Sequence, residues 1–152
     1  MKRIDRFDGQ YRFLSNFFPS PIVYEGVEYS TVEHAYQAAK THDVTWKETI
    51  RQARTPGRAK ALGRKVSQRP DLLRPDWYEV NREIMTELLL LKFNEINLWV
   101  ALIATQDAEL IEGNTWGDKF WGQVDGEGEN WLGRLLMVVR NVLRGPNHVS
   151  KQ

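Results

Sequence analysis

Residues 77–94 constrain the fold more than any other stretch of the chain. Val80, Ile84, Leu88 and Leu91 recur there at helical spacing, behind an Asp76…Glu79 pair that reads as a capping box. A helix of that length has to lay its apolar stripe on something, so the remaining sequence must supply partner helices. Ser30-Thr31-Val32-Glu33 is a second capping-box pattern, followed by a stripe of Val32, Ala35, Tyr36 and Ala39. A helix from about Trp46 to Arg54 follows, and Thr55-Pro56, a cap and then proline in the first turn, opens another over 56–65. Asn97 can cap a helix over 98–105. Residues 131–143 are amphipathic, with Leu132, Leu135, Leu136, Val139, Val142 and Leu143 predicted to face inward and Gly145-Pro146 as the stop. Before the helices, Ile22-Val23-Tyr24 and Val27-Glu28-Tyr29 flank Glu25-Gly26, a two-residue hairpin junction. The expected fold class is mainly α: a single compact helical domain spanning 1–152, with its core at about 4–144 and a small N-terminal β-hairpin.

Composition narrows the chemistry. A chain of 152 residues with 41% hydrophobic and 27% charged residues has enough apolar material for one domain's core. With no cysteine there is no disulfide scaffold, thiolate nucleophile or zinc knuckle. No apolar segment follows Met1-Lys2-Arg3, and no window approaches the ~18 apolar residues of a membrane span. A soluble, cytoplasmic protein is expected. His34, His42 and His148 are scattered away from ligand-spaced carboxylates, so no metal is expected. No phosphate-cradling glycine loop and no Gly-x-Ser-x-Gly elbow occurs, so no cofactor is expected and the nucleotide-triphosphatase, Rossmann and hydrolase-elbow readings fail.

The net charge of +1 hides an asymmetry. Residues 47–74 carry nine basic side chains against Glu48 and Asp71, net +7, whereas residues 107–129 carry seven acidic ones against Lys119, net −6. The basic stretch suits contact with phosphate or DNA, or equally a solvated helical face partnered by acids elsewhere.

Several residue groups have two readings. Glu33, Gln37 and Lys40, at i, i+4 and i+7, form one polar stripe on a helix. It is either a capping glutamate with solvated neighbours or a set of catalytic groups. Ser15-Asn16-Phe17 is either a turn with core aromatics or a loop that hydrogen-bonds and stacks on a polar ring. Trp77 is a packing residue or a stacking platform. The loop 113–129, long for a compact domain, offers Asp118, Trp121 and Gly122 to a polar ligand. Asn130 is first of all an N-cap, and beyond that a ligand contact at a helix N-terminus.

Taken together, ordered blocks resemble a known family. They are Ser15-Asn16-Phe17, Thr31-Val-Glu33-His-Ala-Tyr36-Gln37-Ala-Ala-Lys40, Thr55-Pro56…Ala59-Lys60…Gly63-Arg64 and Asp76-Trp77…Met85…Lys92-Phe93. Ala104-Thr105, Leu110-Ile-Glu112, Asp118-Lys-Phe-Trp121-Gly122, Asn130-Trp-Leu132-Gly133 and Leu136-Met137-Val-Val-Arg140 complete the set. The chain is similar to the NADAR, or YbiA-like, family from about residue 4 to 144. That resemblance implies a metal-free, mostly helical N-glycosidase. Its substrates would be ADP-ribose on guanine bases or the ribosylamino-pyrimidine phosphate intermediates of riboflavin synthesis. It further implies Glu33, Lys40 and Asp118 as catalytic residues, with Lys40 the nucleophile and Glu33 the acid/base. Ser15, Asn16, Phe17, Tyr36, Gln37, Trp77, Trp121, Gly122 and Asn130 would bind substrate. Where the family usually has a cation and an arginine, this chain has Glu129 and Trp131, so phosphate would fall to Arg64 or another residue of 47–74. The alternative expectation is a non-catalytic module that binds ADP-ribose or a modified nucleotide, against which the retained Glu33 and Lys40 speak.

Overall fold

The computed structural model describes residues 2–145. Pro146 of the expected helix stop, and His148, lie outside the described residues. The fold is mainly helical, and none of its helices is long and apolar enough to cross a membrane. The chain divides into two compact units, residues 16–92 and the two segments before and after them.

In the first unit, β2 (Ile22–Tyr24) and β3 (Val27–Tyr29) form the expected antiparallel hairpin. Glu25 and Gly26 both take positive φ, 50° and 79°, the turn that matches the strand twist. Helix α1 (Val32–Ala38) is buried along its whole length and packs against α2 (Val44–Arg51), α3 (Pro56–Ser67) and α4 (Trp77–Lys92). The local signals that start these helices are mostly visible. Thr55 Oγ1 accepts from Arg58 N at 3.0 Å, with Pro56 in the first turn. Asp43 accepts from Trp46 N at 2.9 Å, which starts α2 two residues earlier than expected. The helix also ends at Arg51, short of Arg54.

Two expectations for this unit are corrected. The cap of α1 is Thr31, whose Oγ1 accepts from His34 N at 3.1 Å, so Glu33 sits one position too early to close a box with it, and the expected Ser30 box does not form. On α4 the buried face is Trp77, Asn81, Ile84, Met85, Leu88, Leu89 and Lys92, while Leu91 is exposed. The helix is rotated from the expected stripe because two polar residues, Asn81 and Lys92, point inward. Lys92 is 1% exposed, its ammonium lies 5.7 Å from the Phe18 ring, and burial pushes its pKa down to about 7.

In the second unit β1 (Arg3–Ile4) pairs in parallel with β4 (Glu109–Leu110), a long-range contact without a local sequence signal. Helix α5 (Ile96–Ile103) is capped by Glu95, which accepts from Asn97 N and Leu98 N, and not by Asn97. In α6 (Trp131–Arg144), Val142 is exposed and Arg140 is buried instead. The Arg140 guanidinium donates to Thr105 Oγ1 and Ala108 O, both at 2.9 Å, tying α6 to the end of α5. Asn130 occupies the cap position of α6 in a left-handed conformation, φ 54°, and makes no side-chain cap bond. Its amide donates to Leu110 O at 2.9 Å and its Oδ1 accepts from Glu112 N at 3.0 Å, which ties the helix start to β4.

Candidate active site

Helix α1 carries the polar stripe, and burial decides between its two readings. Glu33 is 7% exposed and Gln37 is 4% exposed, so neither is a solvated surface group. Gln37 Nε2 donates to Glu33 Oε1 at 2.7 Å. That bond uses the i, i+4 spacing and fixes the carboxylate's orientation. The backbone helps as well, since Glu33 N donates to Asn16 O at 3.1 Å and holds Asn16 at the start of the helix.

Lys40 lies two residues past the last residue of α1, so it leaves the helical line on which i+7 had placed it. Its carbonyl accepts from Arg74 N at 2.8 Å, and its ammonium donates to Ser67 Oγ at 3.0 Å. Ser67 Oγ in turn donates to Gly63 O at 3.1 Å on α3. The ammonium also stands 5.8 Å from the Tyr36 ring, which packs on Trp77 with centroids 5.0 Å apart. Burial pushes the Lys40 pKa down to about 8. Attraction to Glu33 opposes that shift, and the Arg64 and Lys60 charges add to it. A lysine titrating there is a usable nucleophile near neutral pH, which an exposed lysine is not.

The seat of Gln37 explains Gly63. A Cβ at position 63 would lie 1.8 Å from Gln37 Oε1, 2.6 Å from its Cδ and 3.0 Å from its Cβ. Gly63→Ala therefore has to expel the Gln37 amide from its bond to Glu33. The expected result is a loss of about 1–3 kcal/mol of stability, together with a drop in kcat/KM, read by thermal melting and steady-state kinetics. An alanine variant with unchanged kcat/KM would show that Gln37 does not need this seat.

The 16–92 unit thus brings together Asn16, Glu33, Tyr36, Gln37, Lys40 and Trp77. Phe17 is exposed, with the Lys60 ammonium 5.9 Å from its ring, and Arg64 is exposed. The remaining candidates belong to the other unit. Asp118 Oδ1 accepts from Phe120 N at 3.0 Å and Trp121 N at 2.9 Å, a local turn that shapes the loop. Trp121 packs edge-on against Phe120. Gly122 is required by packing, because a Cβ there would meet Glu112 Oε2 at 1.8 Å and Glu112 O at 2.1 Å. Ser15 N donates to Arg12 O, and its side chain lines a cavity of about 500 Å³ with Glu112, Asn114 and Trp116. Trp131 lies under the Arg134 guanidinium at 4.9 Å. Sequence reasoning missed Ser67 and Gly63, on which Lys40 and Gln37 rest. Ser67 and Gly63 act through α3, and Asn81 stands on the buried face of α4.

The chain belongs to the NADAR domain family, whose model matches residues 5–144. Among its relatives, the N-glycosidase YbiA of Escherichia coli is 38% identical over 135 residues, covering 88% of this chain and 82% of that protein. An N-glycosidase of Nostoc punctiforme is 39% identical over 139 residues, covering 88% and 86%. A riboflavin biosynthesis protein of Vibrio vulnificus is 39% identical over 139 residues, which are 90% of this chain and 37% of the longer relative. In structure, the chain superimposes on the NMR structure of E. coli YbiA with a TM-score of 0.81 at 34% identity, covering 100% of this chain and 94% of that one.

Proposed function

We propose that this protein hydrolyses a ribosyl N-glycosidic bond, with Lys40 as nucleophile and Glu33 as acid/base. The observation that carries the reading is the pairing of a lysine depressed to about 8 with a buried, oriented carboxylate whose charge it feels. The relatives named N-glycosidases support it.

The chemistry balances without an outside reagent other than water. The neutral Lys40 amine bonds to the anomeric carbon as the bond to the base nitrogen breaks. The proton shed by the lysine reaches the departing nitrogen through Glu33. Ring opening moves the remaining lysine N–H proton to the ring oxygen and leaves a Schiff base, which water hydrolyses to free lysine and the sugar aldehyde, and the aldehyde closes to the free sugar. Trp77 would stack on the base or sugar.

For the substrate we favour ADP-ribose on guanine. Within 47–74 the structure occupies several cations internally: Lys47 donates to Ala38 O and Thr41 O, and Arg51, Arg69 and Arg74 pair with Glu48, Asp71 and Asp76. Arg54, Arg58, Arg64 and Lys65 stay exposed on and beside α3, with no ion-pair partner among the described residues. That cluster suits a polyanion such as a pyrophosphate or a DNA strand. The second reading, cleavage of a ribosylamino-pyrimidine phosphate, is favoured by the relative named for riboflavin biosynthesis.

A side-by-side turnover assay with mass-spectrometric readout separates the two, offering ADP-ribosyl-guanine DNA and the ribosylamino-pyrimidine phosphate. ADP-ribose released from the DNA alone supports the favoured substrate. Ribose 5-phosphate released from the pyrimidine alone supports the second. Silence on both, from a folded protein that binds ADP-ribose, overturns the enzyme reading in favour of a binding module.

A further inference from the structure

Three side-chain carbonyl oxygens of the 16–92 unit are buried without a hydrogen-bond partner: Asn16 Oδ1, Gln37 Oε1 and Asn81 Oδ1. Their residues are 8%, 4% and 5% exposed. Buried acceptors are nearly always satisfied in folded proteins, so an orphan calls for an explanation. Gln37 Oε1 is packed against Gly63, which leaves Asn16 Oδ1 and Asn81 Oδ1 to explain. Gln37 is bonded to Glu33, whose backbone is bonded to Asn16, and Asn16 Nδ2 reaches Met85 Sδ at 3.5 Å. Met85 is one turn from Asn81 on α4, and Trp77 is one turn from Asn81 on its other side. Asn81 therefore stands on the helix face that carries the Trp77–Tyr36 stack, beside the orphan of Asn16.

Both remaining groups are acceptors, and that restricts what can satisfy them. A phosphate oxygen has no hydrogen to give near neutral pH beyond its second ionisation, and its charge is repelled by carbonyl dipoles. A sugar hydroxyl or an amine N–H donates. We infer that Asn81 is a substrate-binding residue, accepting a hydrogen bond from a hydroxyl or amine N–H of the ribosyl substrate. The phosphate then belongs on the Lys60 and Arg64 side of Lys40. The inference rests on the glycosidase reading above and adds to it a residue and a polarity.

Replacing Asn81 by an apolar residue tests this, because a structural asparagine and a ligand-binding one respond in opposite ways. Removing an orphan buried acceptor should leave the protein as stable as wild type or raise its melting temperature by about 2–5 °C. The same change should weaken binding of D-ribose 5-phosphate, measured by calorimetry. It should also raise KM about tenfold with a smaller effect on kcat. Asn81→Leu keeps the branched shape, and Asn81→Ala controls for crowding, so a leucine variant that melts low beside an alanine variant that does not leaves the alanine to decide. If both melt clearly below wild type, Asn81 is satisfied within the protein and the inference is overturned. Variants as stable as wild type that bind and turn over like it overturn the inference alone. A wild type that neither binds ribose 5-phosphate nor cleaves a ribosyl substrate overturns the inference together with the glycosidase reading.

Discussion

Lys40→Met is expected to abolish turnover, by on the order of 10⁴-fold or more, while making the protein harder to unfold at neutral pH. Both effects come from one cause. Burial of the Lys40 ammonium beside Tyr36 and Ser67, with the Arg64 and Lys60 charges adding to it, brings its pKa from 10.5 to about 8. Because the folded value lies below the unfolded one, the unfolded chain binds more protons between pH 8 and pH 10.5, and stability contributed by this group rises across that window. Below pH 8 the fold carries the full penalty of a partly desolvated cation, about 1–3 kcal/mol once its remaining exposure is allowed for. Methionine removes that penalty. Its stabilising effect should thus be present at pH 7 and fade as pH rises from 8 to above 10.5, which melting curves across that range will show.

The catalytic arm reads the same ionisation. The rate should climb with pH and level off near 8, where the lysine becomes neutral, and borohydride with substrate should trap an adduct on Lys40 in the wild type only. Lys40→Arg keeps the charge but never loses its proton, so it should be as inactive as methionine without its gain in stability. Full activity in Lys40→Met, with no trapped adduct, would exclude the Schiff-base route and leave direct carboxylate-assisted hydrolysis.

How much of this site is legible in the sequence depends on whether the cause is local. The Glu25-Gly26 hairpin and the Thr55-Pro56 start of α3 are readable because the residues that specify them also adopt the special geometry. The face of α4 is not, since hydropathy assigns Asn81 and Lys92 to solvent and Leu91 to the core, and the structure reverses all three. A catalytic reading of Glu33 and Gln37 rests on the family resemblance, because spacing alone allows a surface stripe. Their burial is a property of the three helices that enclose α1. Asn130 shows the same limit. Its place at the start of α6 is visible, but its tie to Leu110 and Glu112, some twenty residues back, depends on a two-strand sheet closed across more than a hundred residues. Gly63 stands in a family block without a stated role and Ser67 in none, and their value to the site appears only when Gln37 and Lys40 are seen to rest on them.

Glu33→Gln separates the two tasks given to the buried carboxylate. The amide oxygen of the replacement can still accept the Gln37 bond, so the fold and the seat against Gly63 should survive. Proton transfer is lost, and kcat should fall by about 10²- to 10⁴-fold. The second task is electrostatic. The Glu33 charge holds the Lys40 pKa up against burial, so its removal should lower that pKa further and shift the rising limb of the pH–rate profile to more acid pH. A slower enzyme whose residual rate is fully developed at a lower pH than wild type is a signature that loss of folding or of substrate binding would not produce. It is measured by following residual turnover from pH 5 to 9 in the variant and the wild type. An unshifted limb would mean that Glu33 and Lys40 do not sense each other during catalysis, and the proton delivered to the leaving nitrogen would then have to come from another acid.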